Sequence, residues 1–128
     1  MKVPGLRLEA DPSSLPWRET RVDGVAWIPL HQDEPTEGPR RPGATVLIRM
    51  RAGCGYTPHR HVDGEDVLVL AGGYRDEAGT YTRGEHVHYP AGSAHAPVAL
   101  EGEDCILYAT APGGIELLET PTAPNLET

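Results

Sequence analysis

The feature that most narrows the fold of this chain is a recurrence of short apolar runs between turn signals. No stretch longer than about ten residues carries a helical period. The runs are VAWIPL (25–30), ATVLIRM (44–50), EDVLVLAGG (65–73), EHVHYP (85–90) and DCILYATA (104–111). Between them, residues 33–43, 75–79, 90–93 and 100–103 hold the Gly, Pro and acidic residues that turns use. Fifteen Gly and thirteen Pro in 128 residues, with no Phe, suit many short strands better than long helices. Closely spaced strands without intervening helices pair antiparallel, so the expected fold is all-β, a sandwich or barrel. The length fits one domain able to bury a sizeable core. Its expected parts are an N-terminal arm (1–23), a barrel core (about 24–112) and a loose Pro-containing tail (118–128).

Nineteen acidic against eleven basic residues leave a net charge of −8, which argues against nucleic acid or an anionic membrane as partner. The opening MKVPGLRLEADPSS lacks the apolar centre of a signal peptide, and no apolar run approaches membrane-spanning length. Two cysteines, Cys54 and Cys105, make no disulfide framework. A soluble cytoplasmic protein is the expectation.

Chemistry concentrates in GYTPHRHVDGEDVLVLAGG, residues 55–73. In an extended strand alternate side chains share a face, so His59 and His61 point the same way with Cα atoms roughly 6 to 7 Å apart. Two rings at that separation can converge on one ion at about 2.0 to 2.2 Å. On a helix the same spacing would send them apart, so the pattern has meaning only in a strand. Residues 62–64 (VDG) read as a turn or bulge that returns Glu65 to the same cavity. After Glu65, Val67 and Val69 share its face and Leu68 and Leu70 take the other. That reads as a strand buried on both sides that carries its carboxylate inward, where a cation is a sufficient partner. In GEHVHYPAGSAH (84–95), Pro90 and Gly92 form a turn that delivers His95 toward the same interior.

The first segment fits G-x5-H-x-H-x3-E-x6-G, from Gly53 through His59, His61 and Glu65 to Gly72. The second fits G-x5-P-x-G-x2-H, from Gly84 through Pro90 and Gly92 to His95. Together they resemble the two signature motifs of the cupin superfamily. The resemblance implies a small antiparallel jelly-roll barrel holding one divalent transition metal per chain (Zn, Fe, Mn or Ni) on His59, His61, Glu65 and His95. The second motif usually ends in Asn; Ala99 stands there, at a position that is not a ligand.

The short interval between the motifs, with Asp76, Glu77, Gly79 and Tyr81 in D-E-x-G-x-Y order, narrows the likeness. It is similar to the cupin domain of ChrR-type anti-sigma factors and their stand-alone relatives, a subgroup that also contains small dioxygenases. SLPW (14–17) and GVAWIPL (24–30) extend the resemblance over about residues 12–112. ChrR-type regulators add a helical zinc-binding domain that grips the sigma factor, and 128 residues leave no room for it, so the expectation leans to an enzyme. That enzyme is a non-haem, metal-dependent dioxygenase-like catalyst acting on a small oxygenated organic molecule. The other expectation is a non-catalytic sensing module with structural zinc.

Tyr56, Met50, Tyr108 and Trp27 are candidates for the pocket lining, although strand parity does not say which of them face inward. His86 and His88 share one face of their strand, expected to be solvated. His31 is expected on the surface, and Arg75 to Glu77 is read as a solvated charged turn. Cys54 and Cys105 are expected as small buried hydrophobes. A single small jelly roll leaves open sheet edges and an arm with Trp17 and Trp27 that call for cover, so a homodimer is expected.

Overall fold

A computed structural model describes residues 6–8, 11–35, 37–38 and 41–118. Alternating side chains and frequent turns produce an all-β architecture that, among the described residues, is wholly antiparallel with one 3-10 turn at Pro12–Ser14. The strands are β1 (Arg18–Glu19), β2 (Val25–Gln32), β3 (Ala44–Met50), β4 (His59–His61), β5 (Glu65–Ala71), β6 (Gly73–Asp76), β7 (Gly79–Thr82), β8 (His86–Tyr89), β9 (Ala94–His95), β10 (Val98–Ala99), β11 (Cys105–Ala111) and β12 (Ile115–Leu117). Six of them form the main sheet in the order β1-β2-β3-β11-β5-β8. Two three-stranded sheets, β10-β6-β7 and β12-β4-β9, complete a jelly-roll barrel. Among the described residues no helix is long and apolar enough to cross a membrane.

The expected tail falls on Leu118 and on residues 119–128, and the latter lie outside the described residues. Parts of the expected N-terminal arm, residues 1–5 and 9–10, also lie outside them. Flanking the expected core, β1 pairs with β2, and β12 pairs with β4, the strand that carries two of the histidines.

The apolar run 65–73 is two strands, not one. Gly72 breaks it with φ 63, and a Cβ there would run into the carbonyl of Asp104. The chain leaves the main sheet at that point and enters β6 of the second sheet, beside the site.

The barrel interior is filled by one face of each long strand: Val25 on β2, Val46 and Met50 on β3, Val67 and Val69 on β5, and Leu107 and Ala109 on β11. Leu15, Ile28 and Leu47 form a smaller cluster on the opposite face of the main sheet, covered in part by Leu6 and Trp17. β5 is therefore not buried on both sides. Leu68 is 37% exposed, whereas Leu70 on the same face is partly buried against the cluster that Leu6 and Trp17 cover.

Candidate metal centre

β4 is short because its job is local. Burial alternates along it, with His59 and His61 inside and Arg60 outside, where Arg60 donates to the Gly92 carbonyl. β9 lies antiparallel to β4 with His95 directly opposite His59. The turn at 62–64 then starts β5 with Glu65 facing inward. Gly64, at φ 91, makes this close approach possible, since a Cβ there would meet the Tyr89 carbonyl at 2.8 Å.

The structure thus brings His59, His61, Glu65 and His95 together, with one ligand atom from each lying within 4.8 Å of all the others. The three ring centroids form a near-equilateral triangle with sides of 4.9, 4.6 and 4.7 Å. All three histidines are buried, His61 completely.

Hydrogen bonds on the far side of each ring fix its tautomer. His59 Nδ1 lies 2.8 Å from the Thr57 carbonyl, which can only accept, so this nitrogen carries the proton. His61 Nδ1 lies 3.1 Å from Ser93 Oγ, and Ser93 Oγ already donates to the Pro90 carbonyl, so His61 Nδ1 also donates. His95 Nδ1 donates to Asp76 Oδ2 at 2.8 Å. Burial alone would raise the Asp76 carboxyl, but bonds from His95, Tyr89 and the Ala78 amide outweigh it and hold it below the ordinary carboxylate value.

All three Nε2 atoms are therefore bare lone pairs aimed at one point. His59 Nε2 and His95 Nε2 face each other at 3.1 Å with no proton between them, which is a repulsive pair and not a hydrogen bond. His61 Nε2 is buried without a hydrogen-bond partner and stands 3.2 Å from Glu65 Oε1. A proton does not resolve the conflict, because burial lowers His59 to about 4 and lowers His95 as well. A divalent cation resolves it. Neighbouring ligand atoms about 2.1 Å from one ion sit roughly 3.0 to 3.4 Å apart, and the His59–His95 and His61–Glu65 pairs have that spacing, at 3.1 and 3.2 Å. The residues fit a metal in donor chemistry, tautomer and distance.

A cavity of about 180 Å³ opens onto this centre, with His59, Glu65 and His95 in its wall. Trp27, Met50 and Tyr56 line it together with Val25, Val46 and Ile48. Tyr108 does not belong to this set. It alternates with the inward Leu107 and Ala109 on β11, so it stands on the outer face, 40% exposed, in a shallow apolar groove with Leu47, Leu68 and Leu70.

His86 and His88 lie on the outer face of β8, where both reach Asp66 Oδ1, at 3.1 and 2.9 Å, away from the centre. His31 is exposed beside Asp33. Cys105 is buried and its thiol is pushed up to about 12, while Cys54 is half-buried. Reading residues 75–77 as a solvated turn missed Asp76, whose side chain is 1% exposed. The one local signal was that Asp76 shares a strand face with Tyr74, which by itself does not specify burial.

The model of the ChrR cupin-like domain matches residues 7–112. The complex of Rhodobacter sphaeroides SigE with the anti-sigma ChrR is 31% identical, covering 77% of this chain and 49% of that one, with a TM-score of 0.63. This chain thus spans about half the length of that relative. An acetylacetone dioxygenase from Acinetobacter johnsonii is similar in fold at 16% identity, covering 96% of this chain and 86% of that one, with a TM-score of 0.67. The polyketide cyclase RemF from Streptomyces resistomycificus is similar at 18% identity, covering 93% and 90%, with a TM-score of 0.61. No curated protein matches the chain significantly. With the family's model matched along most of its length and its fold shared by these structures, the chain belongs to the ChrR cupin-like domain family.

Proposed function

We propose that the chain binds one divalent transition metal through His59, His61, Glu65 and His95 and acts as a dioxygenase-like enzyme on a small oxygenated organic molecule. The observation that supports catalysis is the cavity. A purely structural ion needs no space beside it, whereas here about 180 Å³ opens directly onto three of the four candidate ligands. Cavities of about 150 Å³ hold a benzene-sized guest, so the occupant is a molecule of about one ring. Trp27, Val46, Ile48 and Met50 exclude water and bind its apolar part.

The three imidazoles, each locked by its own Nδ1 hydrogen bond, offer neutral donors, and Glu65 supplies a negative charge. Four protein ligands leave two positions on a six-coordinate ion, and what it would supply there is Lewis-acid polarisation of a chelating oxygen pair together with dioxygen chemistry. Oxygen uptake by Fe(II)-loaded protein with small diketones, hydroxyacetophenones and thiol acids tests the reading. Glu65→Ala protein serves as the control. No uptake above that control with any substrate, together with tight zinc binding, overturns it.

The second reading is a sensing module with structural zinc. It is favoured by the 31% identity to the anti-sigma complex over 77% of this chain, and a tetrahedral zinc with four protein ligands has no open position. Elemental analysis of protein purified without a chelating tag separates the two readings.

We further propose a homodimer. β1 and β8 are the edges of the main sheet, and its outer face carries the exposed Leu68 and Tyr108. A monomer mass by light scattering at micromolar concentration refutes pairing. Both cysteines are free thiols, which suits the reducing cytoplasm as the place of action.

A further inference from the structure

Asp76 is an unusual carboxylate for a residue at the end of a two-residue hairpin turn. Its side chain is 1% exposed, and two oxygens accept from five donors. Oδ2 receives His95 Nδ1 at 2.8 Å and the Tyr89 hydroxyl at 2.7 Å. Oδ1 receives the Ala78 amide at 2.9 Å, the Gly79 amide at 3.2 Å and the Tyr81 hydroxyl at 3.3 Å. The two backbone amides anchor the carboxylate to its own turn, so its position does not depend on His95. The Tyr89 hydroxyl in turn accepts from the Tyr74 hydroxyl at 2.6 Å, and Tyr74 lines the cavity.

From this arrangement we infer that Asp76 is the positioning residue of the metal centre: it locks His95 as the Nδ1–H tautomer and delivers Nε2 to the metal. The inference rests on the metal reading given above and extends it to a residue outside the ligand set. His95 is the ligand that most needs such a device. β9 is two residues long, and the His95 ring is held from behind by the Asp76 carboxylate, 19 residues earlier, whereas His59 has the Thr57 carbonyl two residues before it and His61 has the Ser93 hydroxyl. A rigid carboxylate behind a ligating histidine raises the basicity of its other nitrogen and restricts the ring's rotation. Loss of such a partner typically weakens metal binding about 10- to 100-fold. Asn cannot replace it here, because one amide oxygen cannot serve five donors and the NH₂ would face at least two of them.

The test uses the full chain, stripped of metal and titrated with Zn(II) against a chromophoric chelator. Asp76→Asn should bind Zn(II) about 10- to 100-fold more weakly than the wild type. Glu85→Ala serves as a stability control: it removes the bonds from Glu85 to Thr82 in the same part of the chain, remote from the ligands, and should leave Zn(II) affinity unchanged. Long-range ¹H–¹⁵N NMR of the wild-type apo protein gives a readout that needs no variant to fold: His95 must carry its proton on Nδ1. In Asp76→Asn, the His95 signals should shift toward the other tautomer.

Wild-type protein that takes up no metal overturns the metal reading and this inference with it. Wild-type binding with Asp76→Asn within threefold of it, or a wild-type His95 protonated on Nε2, overturns this inference alone.

Discussion

Acidification of the metal-free protein provides a quantitative test of the burial of His59. Its folded value of about 4 lies below the ordinary imidazole value of 6.5, with burial as the largest cause. The unfolded chain therefore takes up a proton before the folded one does. The loss from this group is small above pH 7 and grows as pH drops through 6.5 toward 4. With those two values linkage places the loss from this group at about 0.8 kcal/mol at pH 6, about 2 kcal/mol at pH 5 and about 3 kcal/mol at pH 4. His95, also lowered by burial, pushes in the same direction. Against a total stability of order 5–15 kcal/mol this is a large fraction. The assay is urea unfolding of chelator-treated wild type and His59→Gln at pH 7, 6 and 5. Gln keeps a polar side chain but does not titrate, so the other titrating groups cancel in the difference between the two proteins. From pH 7 to pH 5 the wild type should lose about 2 kcal/mol relative to His59→Gln. A difference constant within about 0.5 kcal/mol would show that His59 protonates freely in the folded state, and the argument for bare Nε2 lone pairs would fail with it.

The other expectations are simpler to test. His59→Ala with His61→Ala should abolish stoichiometric metal, and a full equivalent after dialysis, by elemental analysis, refutes the ligand assignment. Stripping the wild type should leave it folded on its own apolar core but melting lower. At free metal 100 times Kd the lost stabilisation is about 2.7 kcal/mol, a calorimetric shift on the order of 10 °C. Gly72→Ala should cost more than about 1 kcal/mol in urea unfolding, because φ 63 disfavours a side chain and the Asp104 carbonyl occupies the space. Cys105, with its thiol pushed up to about 12, should resist alkylation in the native state at pH 8 while the half-buried Cys54 reacts first.

Local chemistry made much of this protein legible in one dimension. The period of two along residues 44–50 and 104–111 specified strands, and the Gly and Pro between runs specified turns. The H-x-H spacing had one useful meaning, in a strand, and the turn at 62–64 tied Glu65 to it. These are properties of neighbours in sequence, set by backbone geometry. Parity told which residues share a face but not which face is inside. Tyr108 was therefore a fair candidate for the cavity until the β11 register turned Leu107 and Ala109 inward and Tyr108 out. Both faces of β5 read as apolar, yet what covers Leu68 and Leu70 depends on where other segments pack, and in the folded chain Leu70 is partly covered while Leu68 stays exposed. The placing of His95 opposite His59 came from strand pairing across 36 residues. Asp76 was the least legible of all. In sequence it is one charge among several in a turn. Only the packing of β6 against the end of β9, 19 residues on, makes it a buried carboxylate whose hydrogen bonds set the tautomer of His95. Burial and long-range hydrogen bonding are properties of the closed barrel, and no local pattern encodes them.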